Sequence, residues 1–253
     1  MEAEPFPDWD IDVSKKVTPQ IARILRERII QNDLKPTDRL SEAELASFYN
    51  VSRQPVREAL IRLSFQGLVE VRPQRGTFVT KIDYYSVLDA RFLREAIEAD
   101  ICKILAAQCD AALVKDLKSQ IKIQKDIPNT GLREFSILDE RFHRTLAEAA
   151  GKGGAWRQIE GLKSQMDRVR YLALTKVPVK KLIGQHEVIA DQIEKGDVAA
   201  TNLAIRTHLR QVLSDLPLII KANSEFFNLP KGEIPMPENA PMLERTLQGG
   251  NFQ

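Results

Sequence analysis

The hydrophobic pattern of this chain changes character once, near residue 84, and that change restricts its possible folds more than any other feature. From Tyr84 to about residue 222, apolar residues recur at helical spacing, interrupted only near 128–131, 151–154, 177–178 and 195–197. The period predicts helices near 84–109, 111–126, 132–150, 154–175, 179–194 and 197–222. Breaks this short join antiparallel neighbours, so the expected fold of this part is an all-α antiparallel bundle.

Before Tyr84 the elements are short and densely punctuated. Thr18-Pro19 reads as an N-cap followed by proline at the first helical position, and Ile21, Ile24, Leu25 and Ile29 form an apolar stripe that ends near Asn32. Ser41-Glu42-Ala43-Glu44 has the form of a capping box and opens a second short helix. Tyr49-Asn50-Val51 is a turn, and Ser52 caps a third helix that carries Val56, Leu60 and Leu63 on one side and stops at Gly67. Leu68–Val71 and Thr77–Val79 are strand-like runs around Pro73-Gln74-Arg75-Gly76, the signature of a hairpin. Three helices and a two-stranded wing make a winged helix-turn-helix.

The expected organisation is therefore mainly α: a flexible acidic tail over 1–16, a winged helix-turn-helix over 17–81, a helical domain over 82–223 and an irregular tail over 224–253. Pro230, Pro235, Pro237, Pro241 and Gly249-Gly250 punctuate that last segment. The formal net charge of +2 is unevenly spread: residues 1–14 carry 5 acids and no bases, whereas 15–81 carry 13 bases against 7 acids. A locally basic domain suits a phosphate-rich partner, although a charged face can also be merely solvated. No apolar run is long enough to span a bilayer, and the acidic start lacks the layout of a signal peptide, so a cytoplasmic location is expected. Cys102 and Cys109 lie seven residues apart on one predicted helix, too far along its axis to bridge each other, and are expected as reduced, buried core residues. There is no CxxC pair, which argues against a thiolate zinc site.

A helix that reads bases needs side chains near its N-terminus able to make bidentate contacts, and Ser52-Arg53-Gln54-Pro55-Val56-Arg57 supplies them. Arg53 and Arg57 are four apart and share a face. The segment closely resembles the N-terminal domain of the GntR superfamily. The matching strings are Lys35-Pro36 with Arg39-Leu40, Glu44-Leu45-Ala46, Val51-Ser52-Arg53-Gln54-Pro55-Val56-Arg57-Glu58-Ala59-Leu60, Gly67-Leu68-Val69 and Arg75-Gly76-Thr77-Phe78-Val79. The resemblance implies a winged-helix reader of operator DNA, with Arg53, Arg57 and Gly76 in contact. With their neighbours, the candidate DNA-contacting set is Arg39, Ser41, Ser52, Arg53, Gln54, Arg57, Arg75 and Gly76. Thr37 stands where the family usually has glycine, so its turn must either avoid a positive φ or tolerate strain. Ala43 stands where many members carry arginine.

The chain's three histidines, His143, His186 and His208, all fall on apolar stripes of the second domain, and Asp139 lies one turn before His143. A single histidine on such a stripe is ordinarily a hydrogen-bonded core residue. Three of them with a carboxylate, all facing inward, suit a borderline divalent ion such as Zn²⁺ or Ni²⁺, with positions left for water or a ligand carboxylate. Residues 84–216 resemble the FCD ligand-binding domain of the FadR-type branch through Leu138-Asp139-Glu140-Arg141-Phe142-His143, His186-Glu187-Val188-Ile189 and Thr207-His208-Leu209. The resemblance assigns Asp139, His143, His186 and His208 as metal ligands. It also places Arg94, on the stripe Ala90, Arg94, Ile97 and Ile101, where the branch often binds an organic acid. A buried arginine needs an anion, and Glu98 one turn away is the other candidate partner.

The expectation is a homodimeric transcriptional regulator, a repressor, on pseudo-palindromic operator DNA, modulated by a small carboxylate or sugar acid bound at the metal, with no membrane partner. An enzyme built on the same metal site would need a motif such as HExxH or the Glu-x-x-His pairs of di-iron bundles, and the sequence has neither. A DNA-binding protein with a purely structural metal is the remaining alternative.

Overall fold

The structure, a computed structural model, describes residues 10–128, 131–174 and 178–232. Pro235, Pro237, Pro241 and Gly249-Gly250, on which the expected irregular tail chiefly rests, lie outside the described residues, as does the start of the acidic tail. The chain forms two compact units, one of residues up to Ile82 together with Glu225–Asn228, the other of Asp83–Ser224 and the residues from Leu229.

In the first unit α1 (Val17–Ile30), α2 (Glu42–Phe48) and α3 (Arg53–Phe65) precede β2 (Val69–Arg72) and β3 (Gly76–Val79). Strand β1 (Arg39–Leu40), not foreseen in the sequence, adds to the far side of β3, giving the order β1-β3-β2. The hairpin register pairs Val69 with Val79 and Val71 with Thr77. Ile21, Leu25 and Ile29 of α1, Val56, Leu60 and Leu63 of α3, and Leu40, Val69 and Val79 of the sheet close one apolar core. Burying each such aliphatic side chain contributes about 1.5–3 kcal/mol, which lets so short a set of elements hold together.

Three local expectations change. Thr18 is the second residue of α1 rather than its cap: the helix begins at Val17, and the Thr18 hydroxyl donates to Glu58 Oε2 at 3.0 Å. Pro19 still falls in the first turn, where no helical partner is needed for its missing N–H. Thr37 adopts φ +77°, so of the two outcomes expected for its turn the strained one holds, with a β-branched residue in the left-handed region. Ser41 caps α2 as its sequence predicts, its hydroxyl oxygen accepting from the Glu44 N–H at 3.3 Å.

The second unit consists of α4 (Tyr84–Gln108), α5 (Ala111–Lys125), α6 (Leu132–Ala149), α7 (Gly153–Leu162), α8 (Ser164–Leu174), α9 (Val179–Glu194) and α10 (Val198–Ala222). Helix α4 lies along α10, and α9 packs against α5 and α10. The single helix expected over 154–175 is two, broken at Lys163. Lys163 is buried, and its ammonium donates to Glu140 and Asp167 at 2.6 and 2.8 Å. Apolar periodicity continues on both sides of such a break and cannot register it. Cys102 is in the core, but Cys109 is exposed at the left-handed end of α4, a correction to the expectation that both are buried.

After α10 the chain makes a 3-10 turn (Ser224–Phe226) and strand β5 (Phe227–Asn228), which pairs with β4 (Ile82–Asp83) where irregular chain was expected. Among the described residues no helix is long and apolar enough to cross a membrane.

Candidate functional site

Two separate regions carry the chemistry. In the first unit, α3 presents Arg53, Gln54 and Arg57 exposed in its first turns, while Val56 and Leu60 anchor the opposite side in the core. Ser52 occupies the N-cap position but makes no side-chain capping bond. Gln54 Nε2 donates to Glu58 Oε1 at 3.1 Å, and Arg57 Nε lies 3.9 Å from Glu42 Oε1. Exposed contacts of this kind contribute about 0–1 kcal/mol and are readily exchanged for a phosphate or a base edge.

Arg75 is exposed in the turn between β2 and β3. Gly76 has φ +109°, and a Cβ there would stand 3.1 Å from Arg39 Nε, so the absence of a side chain lets Arg39 lie against the wing. The Ser41 hydroxyl oxygen accepts from the Glu44 N–H in the α2 cap, and its O–H remains able to donate.

In the second unit, α6, α9 and α10 bring Asp139, His143, His186 and His208 together, all buried, with one potential ligand atom from each within 4.8 Å of the others. His143 Nε2 and His208 Nε2 are 3.1 Å apart, His186 Nε2 is 3.5 Å from Asp139 Oδ1, and His143 Nε2 is 4.0 Å from the same oxygen. Each imidazole turns its other nitrogen to an acceptor. His143 Nδ1 lies 2.6 Å from Glu98 Oε2, His186 Nδ1 lies 2.8 Å from Gln124 Oε1, and His208 Nδ1 lies 2.9 Å from Gln185 Oε1. The two amides are themselves oriented, Gln124 Nε2 donating to the Leu138 carbonyl and Gln185 Nε2 to Gln211 Oε1. A proton on either Nε2 makes the contact between His143 and His208 an N–H···N hydrogen bond, whereas with the ring protons on Nδ1 the Nε2 lone pairs converge as the ligands of a shared cation do.

The donor set passes a direct test. His186 Nε2 and Asp139 Oδ1 are buried without a hydrogen-bond partner, the state expected of atoms that ligate. Ligands about 2.1 Å from a shared ion stand roughly 3–4 Å apart, close to the separations found. Burial pushes the His186 and His208 imidazoles below their ordinary range, His208 strongly, with the neighbouring histidines adding to the effect at His208. Burial works against ionisation of Asp139, but Arg170 and His186 overcome it and hold the carboxyl well below its usual range. Glu98 behaves alike: burial opposes its charge, while Arg94 and His143 hold it down to about 2. Anionic carboxylates and neutral imidazoles are the forms that bind a divalent ion.

A pocket opens beside the cluster, with Asp139, His208, Arg94, Arg170, Gln211 and Asp215 among its polar lining and Phe135, Met166, Leu182 and Val212 among its apolar lining. Arg94 meets both expectations at once: its Nε donates to Glu98 Oε1, while one terminal nitrogen, NH2, is buried without a hydrogen-bond partner. Arg170, from α8, was not foreseen. It donates to Asp139 Oδ2, and no periodic signal marks it. Gln124 and Gln185 were also missed. Gln124 sits on the buried stripe of α5 with Leu113, Leu117 and Ile121, and a glutamine on an apolar stripe is a signal that could have found it.

A winged helix with a basic reading face, joined in one chain to an all-helical domain with a buried Asp-His cluster, defines a DNA-binding regulator. Residues 18–79 match the family described as bacterial regulatory proteins, gntR family, and residues 89–211 match the FCD domain. The chain is 38% identical over 221 residues, 87% of its length and 93% of the relative's, to an HTH-type transcriptional regulator from an unstable DNA locus of Streptomyces ambofaciens. It is 36% identical to the HTH-type transcriptional repressor RspR of Escherichia coli K12, covering 87% of this chain and 98% of that one. The solved structure of E. coli McbR/YncC shares the fold, with a TM-score of 0.66 at 15% identity, over 81% of this chain and 97% of that one. The protein belongs to the GntR family of transcriptional regulators, in its FCD-containing form, and is not an enzyme.

Proposed function

We propose that this regulator is a cytoplasmic repressor that binds a pseudo-palindromic operator as a homodimer and answers to a small carboxylate held at a divalent-metal centre in its FCD domain. Closed two-fold assembly gives each half-site one copy of α3 and one wing. Arg53, Gln54 and Arg57 read bases from the start of α3, Arg39, Ser41, Ser52 and Arg75 contact the backbone or the adjacent groove, and Gly76 allows the wing to approach closely. The repressor sign draws support from the name of RspR.

The observation that carries the sensing half is the convergence of three Nε2 atoms and an unpartnered carboxylate oxygen beside a pocket where Arg94 keeps an unpartnered nitrogen. Asp139, His143, His186 and His208 would hold Zn²⁺ or Ni²⁺, which when bound supplies a Lewis-acidic site for an oxygen of the ligand. Arg94 meets the ligand's carboxylate, and the apolar wall of Phe135, Met166, Leu182 and Val212 accommodates its carbon frame. A carboxylate that favours one arrangement of the reading heads shifts operator affinity by its difference in affinity for the two arrangements.

The test pairs two measurements on the full chain. Metal analysis of His143→Ala/His208→Ala should show loss of an ion that the wild type retains, and unchanged occupancy would remove the ligand assignment. Gel-shift titration of Arg57→Ala should abolish preference for the operator over random DNA, and full retained preference would remove the reading-helix assignment.

A further inference from the structure

A hydrogen bond has a direction, and a group that can only accept imposes that direction on everything bonded to it. Each histidine of the cluster faces such a group, directly or through amides. His143 Nδ1 lies 2.6 Å from a carboxylate oxygen, Glu98 Oε2. His186 Nδ1 lies 2.8 Å from Gln124 Oε1, and Gln124 Nε2 donates at 3.3 Å to the Leu138 carbonyl. The path from His208 is longer. Its Nδ1 lies 2.9 Å from Gln185 Oε1, Gln185 Nε2 donates to Gln211 Oε1 at 3.5 Å, and Gln211 Nε2 donates to Asp215 Oδ1 at 3.0 Å.

The Asp215 carboxylate has no proton to give, so Gln211 must turn an N–H towards it and its oxygen towards Gln185. Gln185 must then do the same, which leaves its oxygen facing His208 and calls for the ring proton on Nδ1. A proton on His208 Nε2 instead would form an N–H···N bond to His143 Nε2, 3.1 Å away. It would also leave two acceptors facing each other somewhere along the path, at Gln185, Gln211 or Asp215. His208 and Gln211 are 4% and 9% exposed, so little water is at hand to relieve that clash.

We propose that Gln211 and Asp215 are positioning residues for the histidine cluster: with Gln185 they form a one-way relay that keeps the ring proton of His208 on Nδ1 and its Nε2 lone pair directed at the cation position. Glu98 and the Leu138 carbonyl impose the same tautomer on His143 and His186, so three lone pairs are set before any ion arrives. The purpose of the relay rests on the metal reading above, whereas the tautomer is a property of the ion-free protein.

The experiment is two-bond proton–nitrogen NMR of full-length, metal-free protein carrying isotope-labelled histidine, at pH about 8, above the ordinary imidazole range. The chain has 3 histidines, all in the cluster, and the pattern of each ring shows which nitrogen holds the proton. The His208 signal is identified by its loss in His208→Ala. All three wild-type rings should carry the proton on Nδ1. Asp215→Asn gives the end of the relay a donor and Gln211→Met cuts it. In both, His208 should move its proton to Nε2, able to donate to His143, while His143 and His186 keep theirs on Nδ1. Gln211→Glu in the Asp215→Asn background brings an acceptor-only group one link nearer and should restore the proton to Nδ1.

Zn²⁺ affinity, measured by competition with a chelator, should fall about tenfold in Asp215→Asn, the low end for outer partners of a ligating histidine. Loss of a negative charge alone would also weaken a cation, but would not move a ring proton, so the tautomer decides. Thermal unfolding shows that each variant is folded. A wild-type His208 protonated on Nε2, or one that stays protonated on Nδ1 in both Asp215→Asn and Gln211→Met, would overturn the relay. If the wild type shows three Nδ1 protons that respond as stated but takes up no Zn²⁺, the relay stands and the metal reading fails.

Discussion

Glu95 offers the sharpest test of how the helical unit is held together. It is 3% exposed on α4 and is the shared acceptor for three arginines. Arg91 NH1 lies 2.5 Å from Oε2, Arg206 NH1 lies 2.7 Å from Oε1, and Arg210 forks across both oxygens, Nε at 2.9 Å from Oε2 and NH2 at 2.5 Å from Oε1. Arg206 and Arg210 belong to α10, so this one carboxylate ties together the two longest helices of the unit. Glu95→Gln keeps the shape and removes the charge, leaving three guanidiniums around a neutral amide.

Breaking a fully buried pair costs about 3–5 kcal/mol. Here only Arg91 is fully buried, whereas Arg206 and Arg210 keep 32% and 30% of their side-chain surface exposed and can be rehydrated. The low end, about 3 kcal/mol, is therefore expected, equivalent to a fall in Tm of roughly 6–12 °C for a unit of this size. Thermal unfolding of the metal-free protein at neutral pH measures it, and a fall below about 2 °C would refute the reasoning.

The pH dependence adds a second check. Burial opposes ionisation of Glu95, but Arg210, Arg206 and Arg91 hold its carboxyl down to about 2, below its ordinary 4.5. A depressed carboxyl stabilises the fold fully above its unfolded pKa and loses that contribution as pH falls towards the folded value. The gap between wild type and Glu95→Gln should therefore be widest above pH 4.5 and should close as pH drops towards 2.

Three further outcomes follow from local geometry. Thr37→Gly should raise the unfolding free energy of the first unit by about 1 kcal/mol, because a β-branched residue at φ +77° is strained and glycine is not; a loss of stability would show that the turn is unstrained. Gly196→Ala should destabilise the helical unit by about 1–2 kcal/mol, since its φ is +68° and a Cβ would stand 2.7 Å from Cys109 Sγ, and Cys109→Ala in the same background should recover part of the loss. Arg75→Ala should lower the dependence of log affinity on log salt for operator DNA by about 0.9, the release of one counterion; an unchanged slope would place the wing off the phosphates.

The ordered signals of the first unit were readable because each rests on a local rule. Ser41 before Glu44, the apolar side of α3 and the turn around Gly76 all act within a few residues, and each corresponds to an observed cap, helix or hairpin. Thr18 departed from its expected role because a partner 40 positions away, Glu58, takes its hydroxyl, which no local rule anticipates. Strand β1 was missed for the same reason: two residues form a strand only because β3 lies beside them.

The sequence by itself determined that the second unit is helical and that three histidines and an aspartate lie on its inward stripes, since helical period is an intrinsic property of residue order. Which atoms of those side chains meet was a tertiary decision. Helix packing set the 3.1 Å approach of His143 Nε2 to His208 Nε2, committed Glu98, Gln124 and Gln185 to the opposite ring nitrogens, and brought Arg170 from α8 to the second oxygen of Asp139. Arg170 and Asp139 are 31 residues apart on separate helices, and that pairing depends on how the helices pack, which the period within each of them does not encode.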